Sequence, residues 1–122
     1  MTGVITIQGR LCMAYSQKST RDYGYPTHLA VGSGTTAASI NDTALESETA
    51  EGKVALTSVT VSEANRTITF TGTITFTGSR TVAEYGLFAK QDGTYKLCTR
   101  EVQAASSYSS GESVTFSFTY TW

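Results

Sequence analysis

Strict alternation between apolar and hydroxylated residues limits the fold of this chain more than any other feature. From Arg66 to Thr77 every odd position is threonine, and the even positions that follow Arg66 are Ile68, Phe70, Gly72, Ile74 and Phe76. Successive side chains of a β-strand point to opposite faces, whereas those of a helix repeat every 3.6 residues. The pattern therefore predicts a strand with one packed face and one face of hydroxyl groups. The glycine at position 72 predicts a bulge or a bend in this strand.

The C-terminal residues repeat the alternation. The apolar positions are Val114, Phe116, Phe118, Tyr120 and Trp122, and the positions between them are Thr115, Ser117, Thr119 and Thr121. A strand with one face this apolar has to be paired and covered in the folded protein. We therefore expect the C-terminal strand to lie inside a sheet that packs on a second layer.

The middle of the chain predicts three more strands. Lys53 to Ser62 is interpreted as one strand with a β-bulge at Thr57-Ser58, because its apolar positions change phase there, and residues 63–66 form the next turn. Thr81 to Lys90 and Thr94 to Val102 flank Asp92-Gly93, a dipeptide typical of a two-residue hairpin turn. A two-residue loop places Tyr85 opposite Arg100 and Leu87 opposite Cys98.

The rest of the chain is predicted to hold short elements and loops. Gly3 to Gln8 and Thr27 to Gly32 are expected as strands, and Arg10 to Ser19 as the one short helix. Ser33 to Asn41 and Ala104 to Gly111 are interpreted as loops, and Asp42 to Glu51 as a turn or an irregular edge.

The composition agrees with these elements, because the 122 residues include 22 threonines and 14 serines but only one proline. Threonine, valine, isoleucine and aromatic residues favour half-buried strands. A chain of this length forms one domain with its own core. We therefore predict an all-β protein, a compact antiparallel β-sandwich of about six to seven strands over residues 1–122, with at most one short N-terminal helix.

Charge and hydropathy exclude several classes of protein. Charged residues make up 16% of the chain, and the formal net charge is −1 at pH 7. A nucleic-acid binder that acts through electrostatic attraction needs clustered lysine and arginine, so we exclude this class. We find no signal-peptide pattern and no apolar run near the ~20 residues of a membrane span. We expect a soluble protein that is made in a cytoplasm.

Candidate catalytic residues are few. The single histidine, His28, lies in a short strand without a Gly-x-Ser-x-Gly motif, and we interpret it as structural. Glu46 and Glu48 could in principle act as an acid–base pair, but we favour an acidic edge or an interface contact. Cys12 and Cys98 do not make a metal site or a disulfide framework, although a bridge between them stays possible. The sequence predicts a protein without a cofactor, a metal or an enzymatic activity.

Several motifs occur in an order that resembles a known family. Thr27-His28-Leu29-Ala30-Val31-Gly32-Ser33-Gly34 is followed by Thr43-Ala44-Leu45-Glu46-Ser47-Glu48 and then by Glu84-Tyr85-Gly86-Leu87-Phe88. This succession is similar to small β-rich structural proteins of tailed bacteriophages, including the N-terminal attachment domain of tail-fibre proteins. The resemblance spans most of the chain, from about Gly9 to Trp122. Tail-fibre proteins continue into long fibrous and receptor-binding regions, so we expect this chain to resemble the attachment domain standing alone and not to bind a receptor directly.

The resemblance implies a non-enzymatic structural protein of the virion, made in the host cytoplasm. It would bind other phage structural proteins of the capsid, tail or fibre, and copies of itself, as an attachment adaptor or a capsid decoration protein. The candidate contact residues are Ser33, Thr35, Thr36, Glu46, Glu48, Tyr120 and Trp122. The motif residues expected to form the fold are Thr27, His28, Gly32, Gly34, Glu84, Gly86, Leu87 and Phe88. A carbohydrate-binding module or adhesin is the alternative, since the chain has seven tyrosines and one tryptophan.

Overall fold

β-strands are the only regular secondary structure in the computed structural model, which describes residues 4–5, 26–91 and 93–121. The eight strands are β1 (Val4–Ile5), β2 (His28–Gly32), β3 (Val54–Ala55), β4 (Ser58–Ser62), β5 (Thr67–Thr75), β6 (Arg80–Gln91), β7 (Thr94–Tyr108) and β8 (Ser113–Thr121). The predicted helix at Arg10 to Ser19 and Cys12 lie outside the described residues.

The strands form two sheets in which every pair of neighbours is antiparallel. Sheet A has the order β1-β7-β6-β2-β3, and sheet B has the order β4-β5-β8. The main apolar core contains side chains of both sheets. It consists of Leu29, Val31, Val82, Tyr85 and Leu87 from sheet A and of Phe70, Ile74, Phe76, Phe116 and Phe118 from strands β5 and β8 and the residue after β5. The predicted antiparallel β-sandwich is therefore confirmed.

Gly72 has a different role from the predicted bulge. Strand β5 pairs with β8 in an unbroken register on both sides of Gly72, so the strand has no extra residue there. A Cβ atom at position 72 would collide with the side chain of Leu29, which is fully buried on the opposing sheet. The glycine makes room for Leu29 between the two sheets, so the prediction of a bulge was wrong.

The predicted single strand from Lys53 to Ser62 is also corrected. The chain leaves sheet A after β3 and enters sheet B at β4, so the phase change at Thr57-Ser58 is a change of sheet and not a bulge. The backbone N–H of Leu56 still donates to the carbonyl of Thr27 at 2.9 Å, and the N–H of Thr57 donates to the carbonyl of Thr71 at 2.8 Å. These two bonds, from adjacent residues to different sheets, mark the corner of the sandwich.

The β6–β7 hairpin agrees with its predicted register only near the turn. Gly93 has a φ of +78°, as the tight turn requires, and Phe88 pairs with Leu97. Beyond that pair an extra residue in β7 shifts the register, so that Leu87 lies opposite Thr99 and Tyr85 opposite Glu101. The predicted pairs of Tyr85 with Arg100 and Leu87 with Cys98 were therefore wrong.

Strand β7 is longer than predicted. It continues through Tyr108, and residues 106–108 pair with the start of β6, so residues 104–108 belong to a strand instead of a loop. The chain turns only at residues 109–112, where Gly111 has a φ of +88°. Residues 33–41 and 42–51 lack regular strands, as predicted, apart from one bridge between Gly32 and Glu48.

Candidate functional site

Strand β6 is buried on both faces, which is unusual for an antiparallel sheet. All side chains from Val82 to Ala89 are buried. Tyr85 and Leu87 face sheet B, whereas Phe88 packs with Ala30, Leu45 and Leu97 on the outer face of sheet A. Residues 33–47, here called the covering segment, lie over this outer face and supply Leu45 to it.

A buried carboxylate attaches the covering segment to the sheet. Glu84 is fully buried on the outer face of β6. Its carboxylate accepts backbone N–H bonds from Gly34 (2.8 Å), Glu46 (2.8 Å) and Ser47 (2.7 Å), and an Nε–H bond from Arg100 (2.9 Å). Three of these four donors belong to the covering segment, so one side chain determines where both ends of that segment lie.

Arg100 connects the same carboxylate to a second part of the segment. Its guanidinium is buried and bonds Glu84 at 2.9 Å and Asp42 at 3.2 Å. Burial alone would raise the pKa of Glu84, but the N–H donors of Ser47 and Glu46 and the Arg100 guanidinium outweigh it and lower the pKa below the usual value. Burial opposes the charge of Arg100, and its two carboxylate partners outweigh that effect and raise its pKa. Both groups are therefore charged at neutral pH.

The two glycines of the Gly32-Ser33-Gly34 motif make room for this carboxylate. Gly32 lies directly opposite Glu84 in the β2–β6 register, and a Cβ atom there would collide with the Glu84 carboxylate and the Ser47 carbonyl. A Cβ atom at Gly34 would collide with the Glu84 carboxylate and with Glu46. Gly86 leaves space for the side chains of Leu45 and Leu97 on the same face. These three glycines let neighbouring side chains and backbone lie close to the strand, and none of them is needed for a turn.

The covering segment is closed on itself by a second set of bonds. The carboxylate of Glu46 accepts the backbone N–H of Thr35 (3.0 Å) and of Thr36 (3.4 Å), and also the Thr36 hydroxyl. The bonds from Thr36 and Thr35 lower the pKa of Glu46. The N–H of Ser33 donates to the Ser47 carbonyl at 2.9 Å. The structure thus brings together two segments, around residues 33–36 and 46–48, that the sequence identified separately as candidate contact sites.

A second surface of uniform chemistry lies on the outer face of sheet B. The registers of β4, β5 and β8 place thirteen side chains on this hydroxyl face, and all of them are serine or threonine. They are Ser58, Thr60 and Ser62 on β4, Thr67, Thr69, Thr71, Thr73 and Thr75 on β5, and Ser113, Thr115, Ser117, Thr119 and Thr121 on β8. Four pairs across β5 and β8 are hydrogen-bonded at 2.7–3.2 Å. These side chains form an uncharged surface of hydroxyl groups.

The remaining candidate residues lie elsewhere. Glu48 is exposed and pairs with Lys53 at 3.0 Å. Tyr120 is half-buried between the sheets, where its hydroxyl donates to Thr99 at 2.9 Å, and burial raises its pKa to about 12. Leu87 and Phe88 pack on opposite faces of β6. Trp122 lies outside the described residues.

His28 lies at the start of β2, far along the strand from Glu84. Its Nδ1 is 2.8 Å from the Thr27 hydroxyl, and its ring makes an edge contact with Tyr95. Burial, together with nearby Lys90, lowers the pKa of His28, so the ring is neutral at pH 7. In the part of the chain that the structure describes, no group of three or more His, Cys, Asp or Glu side chains is arranged to hold a metal ion.

The partners of Glu84 were not identified from the sequence. Arg100 and Asp42 are 58 residues apart, and no local motif connects them. One signal was present: Glu84 is the one charged residue in the otherwise apolar run from Val82 to Ala89. A charged residue in such a run needs a buried partner of opposite charge.

Glu51 is a third organising carboxylate, and it predicts a pH dependence. It accepts bonds from the N–H (3.1 Å) and hydroxyl (2.9 Å) of Thr77 and from Nε of Arg80 (3.1 Å). Burial opposes its charge, but the bonds from Arg80 and Thr77 outweigh burial and lower its pKa to about 2. A carboxylate with a lowered pKa in the folded state stabilises the protein above its unfolded-state pKa. We expect that stability to be lost as the pH falls from about 4.5 to about 2.

The measurement is the midpoint of urea unfolding at pH values from 7 to 2. Glu51→Gln should lose stability at pH 7 and show a shallower fall below pH 4.5 than the unsubstituted chain. Glu63→Gln, in the exposed turn before β5, reports the general effect of removing one carboxylate. A Glu51→Gln profile that parallels the Glu63→Gln profile would contradict this assignment.

Comparisons with models of protein families, with curated proteins and with solved structures found no match for this chain. Within the described residues there is no helix of the length and hydropathy that a membrane crossing requires. The covering segment, the hydroxyl face and the motif succession in the sequence are therefore the features that bear on its function.

Proposed function

We propose that this chain is a non-enzymatic structural protein of a tailed-phage virion that binds other virion proteins through uncharged and ordered surfaces. The hydroxyl face of sheet B is the observation that carries the proposal. It combines exposed area with hydrogen-bonding capacity and has no charge among its thirteen side chains. Such a face suits contact with another protein, since few charges have to be desolvated when it is covered.

Rigid presentation of this face supports the proposal. The hydroxyl pairs Thr69–Thr119, Thr71–Ser117, Thr73–Thr115 and Thr75–Ser113 hold neighbouring side chains in fixed orientations. Side chains that are ordered before binding lose less conformational entropy on binding. In a particle built by symmetry, a modest contact is repeated many times, so each copy needs only moderate affinity.

The covering segment provides a second ordered surface. Thr35, Thr36 and Glu46 are exposed at its outer side, while Glu84 holds its backbone and Arg100 holds its Asp42 side chain from below. This arrangement agrees with the role that the phage resemblance implies for the region. The resemblance also leads us to propose an adaptor of the fibre, collar or baseplate, or a capsid decoration protein, as the place of the chain in the particle.

The alternative of a carbohydrate-binding module has less support. Stacking of sugars needs exposed aromatic rings, yet the four described tyrosines are buried or half-buried. The ring of Tyr108 stacks on that of Phe76 with 4.9 Å between the ring centroids, and Tyr85 contacts Phe116 and Phe118 in the core. These rings fill the space between the sheets.

The test is the number of copies of the chain in purified particles of its source, measured by quantitative mass spectrometry. We expect either hundreds of copies, as in a decorated capsid, or the few of a single ring. Thr73→Lys adds a charge to the centre of the hydroxyl face and should reduce incorporation by about tenfold or more. Thr94→Lys makes the same change at the exposed start of β7 and should incorporate normally. Absence of the chain from particles would overturn the proposal.

A further inference from the structure

Strand β4 forms one edge of sheet B and has an uncovered apolar side. It pairs with β5 on one side, and in the described part of the chain no strand pairs with its other side. Val59 and Val61 lie opposite Phe70 and Ile68 and so belong to the inner, core-facing side of the sheet. They are nevertheless 50% and 56% exposed, the highest values among the large apolar side chains described.

This edge lacks the usual protection against pairing with another strand. Natural proteins protect edge strands with lysine, proline, bulges or inward-pointing charges. Ser58–Ser62 contains neither a charged residue nor a proline, and its register with β5 is regular over all five residues. Among the described residues, the backbone groups on the outer side of β4 have no strand partner, and two exposed valines lie beside them, so this edge can pair with one more strand.

The sequence of β4 indicates which strand fits. Ser58-Val59-Thr60-Val61-Ser62 has the same order of residues in both directions. When two copies of such a strand pair antiparallel about Thr60, serine meets serine, valine meets valine and threonine meets threonine. One register thus satisfies both copies, as a two-fold symmetric interface requires.

We propose that β4 is a self-association edge, at which two copies of this chain pair antiparallel about Thr60. Val59 of each copy then lies opposite Val61 of the other, and the two exposed apolar patches cover each other. Valine pairs on one face of an antiparallel ladder stabilise it, and no like charges face each other. One position beyond β4, Glu63 falls opposite Thr57 of the second copy, so the flanking residues do not repel either.

The proposed pairing has a structural consequence. Two three-stranded sheets join into one six-stranded sheet with the order β8-β5-β4-β4-β5-β8. A two-fold axis perpendicular to this sheet keeps both hydroxyl faces on the same side. The dimer therefore presents a continuous hydroxyl face of twice the width. This inference depends on the proposed function only for the expectation of self-association, not for the identity of the other partners.

The first test is sedimentation-velocity ultracentrifugation of the chain over a wide range of concentrations. We expect a monomer–dimer equilibrium that Val61→Lys shifts toward monomer by about tenfold or more in Kd, because two unpaired charges enter the interface. Ile40→Lys is the matched control, since Ile40 is 41% exposed in a loop away from β4. It should dimerise like the unsubstituted chain.

A second test does not depend on weakening the interface. Thr60→Cys places two thiols opposite each other at the two-fold axis, within the range of Cα separations that a disulfide spans. Mild oxidation should give a covalent dimer of Thr60→Cys but not of Thr73→Cys, which lies on the same face away from the edge. The unsubstituted chain, with Cys12 and Cys98, gives the background.

The outcomes separate this inference from the proposed function. A monomer at all concentrations, or a dimer that Val61→Lys and Ile40→Lys affect equally, would overturn the β4 pairing. Neither result would bear on the presence of the chain in particles. Conversely, a Thr60→Cys covalent dimer of a chain absent from particles would support the pairing and overturn the virion role.

Discussion

Replacing Glu84 with alanine should lower the free energy of unfolding by about 3–5 kcal/mol, the range for removing one partner of a buried ion pair. The substitution leaves the buried Arg100 with Asp42 as its single carboxylate partner. It also leaves the backbone N–H groups of Gly34, Glu46 and Ser47 without their acceptor. Unfolding in urea, followed by tryptophan fluorescence or far-UV circular dichroism, measures the loss.

Two further variants test whether the loss comes from the buried pair. Glu48→Ala removes an exposed carboxylate that pairs with Lys53, and it should cost no more than about 1 kcal/mol. Removing both charges with Glu84→Ala and Arg100→Ala should cost less than the sum of the single losses, since each single loss includes the same Glu84–Arg100 interaction. Additive losses would show that Glu84 and Arg100 do not act as a pair.

The same substitution should release the covering segment before the rest of the protein unfolds. Three of the four donors to Glu84 are backbone groups of that segment, so their amide hydrogens should exchange faster in Glu84→Ala. The amide hydrogens of β5 and β8, which lie in the other sheet, should keep the same ranking of exchange rates. Uniform loss of protection over both sheets would argue against a local role of Glu84.

The contact between Leu29 and Gly72 should produce the second large effect. Leu29 is fully buried where the two sheets meet, so Leu29→Ala should cost about 2–5 kcal/mol. Gly72→Ala adds a methyl group where the Leu29 side chain lies and should cost about 1–3 kcal/mol through overpacking. The double variant should lose less than the sum, because the new methyl group enters the space that Leu29 leaves.

Urea unfolding of the four proteins completes this cycle. Ile40→Ala is the control for apolar truncation, since Ile40 is 41% exposed in a loop, and it should change stability by about 0.5 kcal/mol or less. The cycle would contradict the steric role of Gly72 if the two losses simply added. The absence of a side chain at Gly72 would then not be explained by packing against Leu29.

The strands that define the sandwich were predictable because their signal is local. The alternation around Phe70 and around Phe116 needs only a period of two residues, and it placed β5 and β8 within a few residues of their observed bounds. The β6–β7 hairpin followed from Asp92-Gly93 for the same reason. Its register beyond Phe88 did not, because the bulge that shifts it leaves no local sequence mark.

Other features depended on contacts between distant residues. The phase change at Thr57-Ser58 was visible in the sequence, but a bulge and a change of sheet produce the same pattern, and only the neighbours of β3 and β4 distinguish them. Gly72 was visible as an irregularity, but its cause is Leu29, 43 positions earlier in the chain. The loop at residues 33–41 and the acidic stretch at residues 46–48 were each noticed, but not their closure around Glu84.

The amino-acid sequence by itself determined that this protein is an all-β sandwich with one sheet face made of hydroxyl groups. Alternation assigns each side chain to a face, and it does so without knowledge of any other element. Only the tertiary structure decided that Glu84 meets Arg100 and Asp42, that Gly72 receives Leu29, and that Val59 and Val61 lie at an uncovered edge. Burial, pairing and exposure are properties of what lies across the sandwich, and no single strand contains that information.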